Sequence, residues 1–339
     1  MQLYAGCDLH STNNYWSIID NDSKQIFSKK IPCNPQKILK MLEPFKSDLA
    51  GIAVESTYNW YWLVDLLMDE GYPVFLANPV AMKKYSGLKH SDDNHDAFWL
   101  AEMLKLGILP QGYIYPKKER PIRDLCRKRL QFVKIRTSLI LSLQGIISRN
   151  TGQRIPAHKI KSLPQEAIAE LVNKDDNLML SVAMSKVAID NTTRQIKYLE
   201  KTLTDQHKLK PHYQNLLTMP GVGPILSLTI MLETGPVSRF KQVGNYASYC
   251  RKVDSKWTSN NKNKGKGNKK NGNKYLAWAF SEAAEHARMF SEPAKRFFEK
   301  KMSQKNRMVA HGSLAHKMAR AAYYIMRDNV PYNPQKMFS

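Results

Sequence analysis

Hydrophobic and polar positions along the first third of the chain alternate in a way that predicts a sheet before any helix. Residues 2–8 read as a first strand ending on an acid, and Asn14 to Asp20 as a second. The Asn21-Asp22 turn leads into a third strand at Lys24–Ile31, giving a hairpin meander with short turns. A helical pattern then covers about Pro35 to Phe45. Gly51-Ile52-Ala53-Val54-Glu55 is a short, almost wholly apolar run, as a buried central strand requires, and it too ends on an acid. Trp60–Met68 predicts a helix, and Tyr72–Ala77 a strand that closes a β-α-β unit. From Asp93 to Leu106 the apolar residues Ala97, Leu100, Ala101, Leu104 and Leu106 recur at helical spacing.

Beyond Pro110 the pattern is helical. The segment from Lys117 carries an apolar side through Ile135, Leu139, Leu141, Leu143 and Ile146. Residues 163–205 hold loose heptads: Val182, Ile189, Ile196 and Leu203 form one set, Leu178, Ser185, Thr192 and Leu199 the other. Two of those eight are polar, so the segment predicts a short or weak coiled coil, either within the chain or with another subunit. Pro220-Gly221-Val222-Gly223-Pro224 separates two helical stretches and reads as a helix-hairpin-helix turn, or as a plain structural turn. Helices are expected at Tyr275–Met289 and near Ala310–Met326, with an Asn/Lys/Gly-rich loop from Arg251 to Lys274.

Charge changes this picture. The net charge is +23, yet residues 1–100 hold nine Lys or Arg against twelve Asp or Glu, a balance of −3, which leaves +26 for the rest. An acidic module followed by basic parts points to nucleic acid as partner rather than a membrane. Lys117–Arg136 has nine basic residues and two acids, so Arg123, Arg127, Lys128 and Arg129 are candidate phosphate contacts. Arg251–Lys274 has nine basic residues and one acid, and Lys262, Lys264, Lys266, Lys269 and Lys270 join the candidates, with Gly221 and Gly223 of the hairpin turn. Cys7, Cys33, Cys126 and Cys250 are scattered without Cys-x-x-Cys spacing, which argues against a zinc site or a disulfide framework and fits a reducing, cytoplasmic setting.

Candidate chemistry comes from the acids. Asp8 and Glu55 end two central strands, at the sheet edge where sites of α/β proteins form. Asp93 and Asp96 share one face of a helix's first turn, with Ser91 placed as its cap and Asp92 as a second-choice ligand. First-turn acids also serve simply as dipole partners. Four converging carboxylates repel one another unless divalent cations sit among them, and hard oxygen donors select Mg2+ or Mn2+. Two such cations can clamp the attacking and leaving oxygens of a phosphodiester.

The order of these pieces resembles the DEDD-type transposases of the insertion-sequence family numbered one hundred and ten, relatives of the Piv invertase. The parts that carry the likeness are Glu55-Ser56-Thr57 with Trp60-Tyr61-Trp62, Asn78-Pro79, Lys89 through Asp93-x-x-Asp96-Ala97, the Pro-Gly-Val-Gly-Pro turn, and Gly272-Asn273-Lys274-Tyr275-Leu276. The resemblance implies a RuvC-like, RNase H-type domain over 1–155, a helical connector over 156–210, and a mostly helical transposase domain over 211–339. It further implies a magnesium site at Asp8, Glu55, Asp93 and Asp96, and a serine that attacks DNA to leave a phosphoserine link. A structured bridge RNA and assembly into a dimer or tetramer are also implied. Ser259 best matches the family serine by its distance from Gly272, with Thr258 and Ser255 as alternatives. Asn260-Asn261 stands where the family usually has Gly-Gly, and Tyr58 stands where it usually has Gly. The competing expectations are a RuvC-type junction nuclease that uses metal-activated water, and a non-catalytic DNA-binding protein.

Overall fold

The computed structural model describes residues 2–82, 93–172, 175–253, 256–266 and 271–338. Lys89, Ser91, Asp92, Ser255, Lys269 and Lys270 therefore lie outside the described residues. The chain forms two compact units, Met1–Lys117 and Lys118–Ser339.

The first unit is a mixed sheet between helices. Its elements are β1 (Leu3–Leu9), β2 (Asn13–Ile19), β3 (Gln25–Pro32), α1 (Pro35–Leu42), β4 (Leu49–Glu55), α2 (Trp60–Asp69), β5 (Val74–Ala77), α3 (Pro79–Met82) and α4 (Asp93–Lys105). Strand order is β3-β2-β1-β4-β5; β1–β3 pair antiparallel, while β4 runs parallel to both β1 and β5. Side-chain parity separates the two faces. Leu3, Ala5, Cys7 and Leu9 of β1, with Ile52 and Val54 of β4, are buried with Ile38 and Leu42 of α1 and Leu63, Val64 and Leu67 of α2.

The opposite face carries small residues: Gly6 on β1, and Gly51 and Ala53 on β4. That flatness lets α4 lie close to the sheet. A methyl group on Gly6 would stand 1.9 Å from the Ala97 carbonyl oxygen and 2.7 Å from the Ala101 nitrogen. Both obstacles are backbone, so Gly6→Ala must push the helix away. We expect a loss of about 3 kcal/mol or more in urea unfolding, with divalent-cation binding lost as Asp93 and Asp96 move with the helix.

The second unit is mostly helical: α5 (Arg120–Thr151), α6 (Ala157–Ser162), α7 (Gln165–Glu170), α8 (Asp176–His207), α9 (Pro211–Leu217), α10 (Pro224–Thr234), α11 (Val243–Tyr249), β6 (Lys256–Ser259), β7 (Lys262–Lys266), α12 (Lys274–Phe290), α13 (Glu292–Gln304), α14 (Arg307–Asp328) and α15 (Pro334–Phe338). The helix expected across 163–205 is divided, with Pro164 preceding α7 and Asp175 capping α8 through the Leu178 N–H. The heptad positions Val182, Ile189, Ile196 and Leu203 are all buried, and α8 packs along α5 with Arg129 paired to Glu200 and Arg136 to Thr193. This seam is thus used inside the chain, as an antiparallel helix pair. By length and mean hydropathy α5 is also apolar enough to cross a membrane. Its Ile140, Leu143 and Ile147 pack with Val182 and Ile189 of α8.

A second core joins α10, α12 and α14 and includes many small residues, among them Ala279, Ala283, Ala284 and Ala287 of α12 and Ala315, Ala319 and Ala322 of α14. Gly221 has φ +79°, and a Cβ there would meet the Ala283 oxygen at 2.4 Å. Its role in this fold is close approach to α12. Gly223, in extended conformation, is the exposed cap of α10.

The segment expected to be an irregular loop contains a hairpin instead. Ser259 pairs with Lys262 across β6 and β7, and the two linking residues Asn260 (φ 50°) and Asn261 (φ 57°) are both left-handed. Two consecutive left-handed residues are what a type I′ turn demands, and Asn tolerates that region best after Gly. The Asn-Asn pair therefore fits where Gly-Gly is usual.

Candidate metal centre

Asp8 lies one residue from the end of β1, buried, and Glu55 ends β4; the neighbouring pair Cys7↔Val54 sets the two acids side by side. By parity both share the face of Gly6 and Ala53, under α4. Asp93 and Asp96 occupy the first turn of that helix. Asn94, between them, accepts hydrogen bonds from Ser28 Oγ (2.5 Å) and Gln25 Nε2 (3.4 Å) of β3. Farther along, the Ser23 hydroxyl donates to Glu102 at 3.0 Å. The helix is thus held against the sheet at both ends, which fixes where its first-turn carboxylates stand.

Electrostatics record the crowding. Burial, then the hydrogen bond with Asp8, then the charges of Asp8 and Asp96 push Glu55 from 4.5 up to about 7. The folded value lies above the unfolded one, so in metal-free protein this carboxyl contributes stability that is complete below the unfolded value and lost as pH rises through about 7. We expect the melting temperature of the wild type in chelator to fall more steeply between about pH 5 and about pH 8 than that of Glu55→Gln. Scanning calorimetry of the two proteins measures this, and parallel profiles would show that Glu55 does not carry the shift.

His10 enters the same cluster, and the sequence reading missed it. Its Nε2 lies 3.1 Å from Asp8 Oδ2 and 3.4 Å from Asp93 Oδ1. Ligand atoms of Asp8, His10 and Asp93 all fall within 4.8 Å of one another. The His10 carbonyl accepts from Asn59 Nδ2 at 3.0 Å, and Asn59 Oδ1 accepts from the Thr57 hydroxyl at 2.8 Å. This ties the turn after Glu55 to the turn after Asp8. Tyr58 is exposed and absent from the left-handed residues, so no glycine is needed there. The one available signal for His10 was its spacing of two from Asp8, a ligand-type side chain just past the same strand end.

The donor set suits a divalent cation: carboxylates dominate, they repel when alone, and they converge from two strand ends and a helix start. The basic candidates divide differently. Arg127 forms a bidentate ion pair with Glu233 (2.6 and 2.8 Å), and its guanidinium lies 4.6 Å from the Tyr275 ring centre. Arg129 pairs with Glu200, and Arg123 is buried. Lys128 is exposed and donates to Gln131, while Lys262 and Lys264 are exposed on β7 beside Ser259. Thr258 and Ser259, adjacent in β6, belong to opposite faces of the two-stranded ribbon.

The Gly-Asn-Lys-Tyr-Leu motif has an architectural task. The Asn273 side chain caps α12 by accepting from the Tyr275 and Leu276 N–H groups, and its Nδ2 donates to Glu233 at 2.7 Å. The Asn273 N–H donates to the Tyr249 carbonyl.

An acid cluster lies at the sheet edge and a basic helical unit follows it, and comparison with known families gives this arrangement a context. Residues 5–151 match the DEDD transposase model of IS110, and residues 213–299 match the transposase family IS116/IS110/IS902. The chain belongs to the IS110 family of transposases. It is also similar to the transposase for insertion sequence element IS1111A of Coxiella burnetii (strain RSA 493 / Nine Mile phase I), 23% identical over 220 residues, which is 64% of this chain. The match spans 59% of that relative's length.

Proposed function

We propose that the protein is a DNA transposase that cuts and rejoins element ends and target DNA through a serine nucleophile and a Mg2+- or Mn2+-binding acidic site. The observation that carries this reading is the convergence of Asp8, Glu55, Asp93 and Asp96. An RNase H-like, RuvC-like assignment for the first domain is supported by the β3-β2-β1-β4-β5 order, with the acids at the carboxyl ends of β1 and β4.

Bound divalent cations would neutralise the phosphate and polarise its phosphorus–oxygen bonds. Asp8, Glu55, Asp93 and Asp96 would hold them. The Ser259 Oγ forms a bond to phosphorus as the bond to the departing sugar oxygen breaks, and the hydroxyl proton passes through solvent to that oxygen. The energy of the phosphodiester is thereby kept in a phosphoserine link for rejoining. Lys262 and Lys264 steady the DNA backbone near the serine, with Lys266, Lys269 and Lys270 extending the same basic run and Lys128 a further phosphate contact. Gly223, at the exposed start of α10, supports the helix-hairpin-helix reading of α9–α10.

Partners are proposed from the same family: donor and target DNA, a bridge-type noncoding RNA, and further copies of the chain in a cytoplasmic, nucleoid-associated assembly. Self-association is supported by the outward side of the α5–α8 pair, where Leu141, Leu180 and Met184 are exposed. The three-part division at 155 and 210 remains the proposed domain plan, with α8 as the connector.

Ser259→Ala is expected to abolish recombination and the covalent protein–DNA adduct while DNA affinity stays within about threefold of wild type. An adduct retained in that variant moves the nucleophile to Thr258 or Ser255. Cleavage to a free 5′-phosphate, with no adduct in wild type, identifies a hydrolytic junction nuclease instead.

A further inference from the structure

Resting on the reading of the acid cluster as a cation site, we propose that His10 is an imidazole ligand of the cation held by Asp8 and Asp93, and that this nitrogen makes the centre prefer Mn2+ to Mg2+. Three observations lead there. The Nε2 atom is closed off from solvent and makes no hydrogen bond among the described residues, although carboxylate oxygens lie 3.1 and 3.4 Å away. At such distances an imidazole N–H aimed at either oxygen would form a charge-assisted bond. Instead, ligand atoms of the three side chains lie within 4.8 Å of one another with no such bond from the imidazole.

The spacing fits one ion. Donors on adjacent corners of an octahedral cation with ligand distances of ~2.1 Å stand about 3.0 Å apart, and opposite donors about 4.2 Å. The three donor atoms here span 3.1 Å to no more than 4.8 Å. Their backbone supports are fixed as well, since the His10 carbonyl is held by Asn59 and α4 is anchored to β3 through Asn94.

The chemistry then decides between cations. Carboxylates alone serve Mg2+ and Mn2+ alike, but Mg2+ holds its water shell tightly and gains little from imidazole. An imidazole favours the transition ions, and among these Mn2+ also accepts a carboxylate-rich shell.

The test is pulsed electron paramagnetic resonance on the full chain titrated with Mn2+ alone, with affinities for Mn2+ and Mg2+ taken by calorimetry. Wild type is expected to show electron spin-echo modulation from one directly bound 14N. In His10→Ala the modulation disappears while Mn2+ still binds, with Mn2+ affinity reduced on the order of tenfold and Mg2+ affinity changed less than about threefold. His10→Gln, which keeps the volume, behaves as His10→Ala, and circular dichroism confirms that both fold. Asp8→Asn separates the two levels of the account. Tight Mn2+ binding that Asp8→Asn abolishes, but without 14N modulation in wild type, overturns the His10 assignment and leaves the acid site standing. Modulation retained in His10→Ala also overturns it. Absence of tight Mn2+ binding in wild type, or binding indifferent to Asp8→Asn, overturns the acid-site reading and the His10 proposal together.

Discussion

Asp8→Asn will lose divalent-cation binding and, with it, strand cleavage by on the order of 10³-fold, while the unit containing it stays folded. Asp8 is buried, hydrogen-bonded to Glu55 and 3.1 Å from His10, so it stands between the strand-end acid and the helix-borne Asp93. Replacing a carboxylate by an amide of the same shape leaves packing unchanged and removes one anionic donor. It also removes one of the charges that keep Glu55 protonated, so the Glu55 pKa should fall in the variant. Calorimetry with Mg2+ and Mn2+, beside a thermal melt in chelator, separates loss of the site from loss of the fold. Reduced binding with a raised or unchanged melting temperature is the expected pair, because relieving like-charge repulsion stabilises the metal-free protein.

Glu233→Ala will destabilise the second unit by about 3–5 kcal/mol, towards the lower end because Arg127 retains some access to water. Glu233 is 2% exposed. It accepts two hydrogen bonds from Arg127 of α5 and one from Asn273, whose own oxygen caps α12. Truncation removes the bidentate acceptor of the Arg127 guanidinium and the nearer of two acceptors of the Asn273 amide, whose other partner is the Tyr249 hydroxyl at 3.3 Å, and loosens the start of the helix that follows the hairpin. Replacing Arg127 and Glu233 together with methionine should recover most of the loss, since a buried pair contributes little beyond an apolar pair of similar volume. Urea unfolding measures both. If Arg127 acted mainly on phosphate, Arg127→Ala would leave unfolding unchanged and flatten the salt dependence of DNA binding instead.

Arg127 shows where the sequence was opaque. Counting charge from Lys117 to Arg136 identifies a basic stretch, but pairing depends on acids far away in the chain, Glu233 and Glu200, which only the folded helices bring near. Lys128, Lys262 and Lys264 are exposed and no ion pair holds them among the described residues, so as phosphate contacts they remain proposals. The acids stood out for a local reason: apolar β4 ends on Glu55, apolar β1 carries Asp8 one residue from its end, and the first turn of α4 holds Asp93 and Asp96. The sheet followed from alternation and turn residues alone. Gly6 and His10 were not legible, because a glycine inside a strand and a histidine past its end acquire meaning only once α4 is seen lying on that face. The heptads of α8 gave the buried stripe correctly, yet periodicity names no partner, and α5 of the same chain fills it. In the Arg251–Lys274 segment, composition alone suggested an irregular loop; the left-handed preference of Asn260 and Asn261 is what turns part of it into a hairpin.

The proposed reaction would unite two chemistries, those of a metal-binding acid cluster and of a serine at the hairpin turn. Mass spectrometry of the proteolysed reaction products, formed with DNA bearing element ends, any copurified RNA and Mn2+ or Mg2+, tests that union most directly. A nucleotide phosphate on the peptide containing Ser259, present in wild type and missing in both Ser259→Ala and Asp8→Asn, is the predicted result. DNA cut by wild type with unmodified Ser259 peptide throughout, or an adduct that forms equally well in Asp8→Asn, would contradict it.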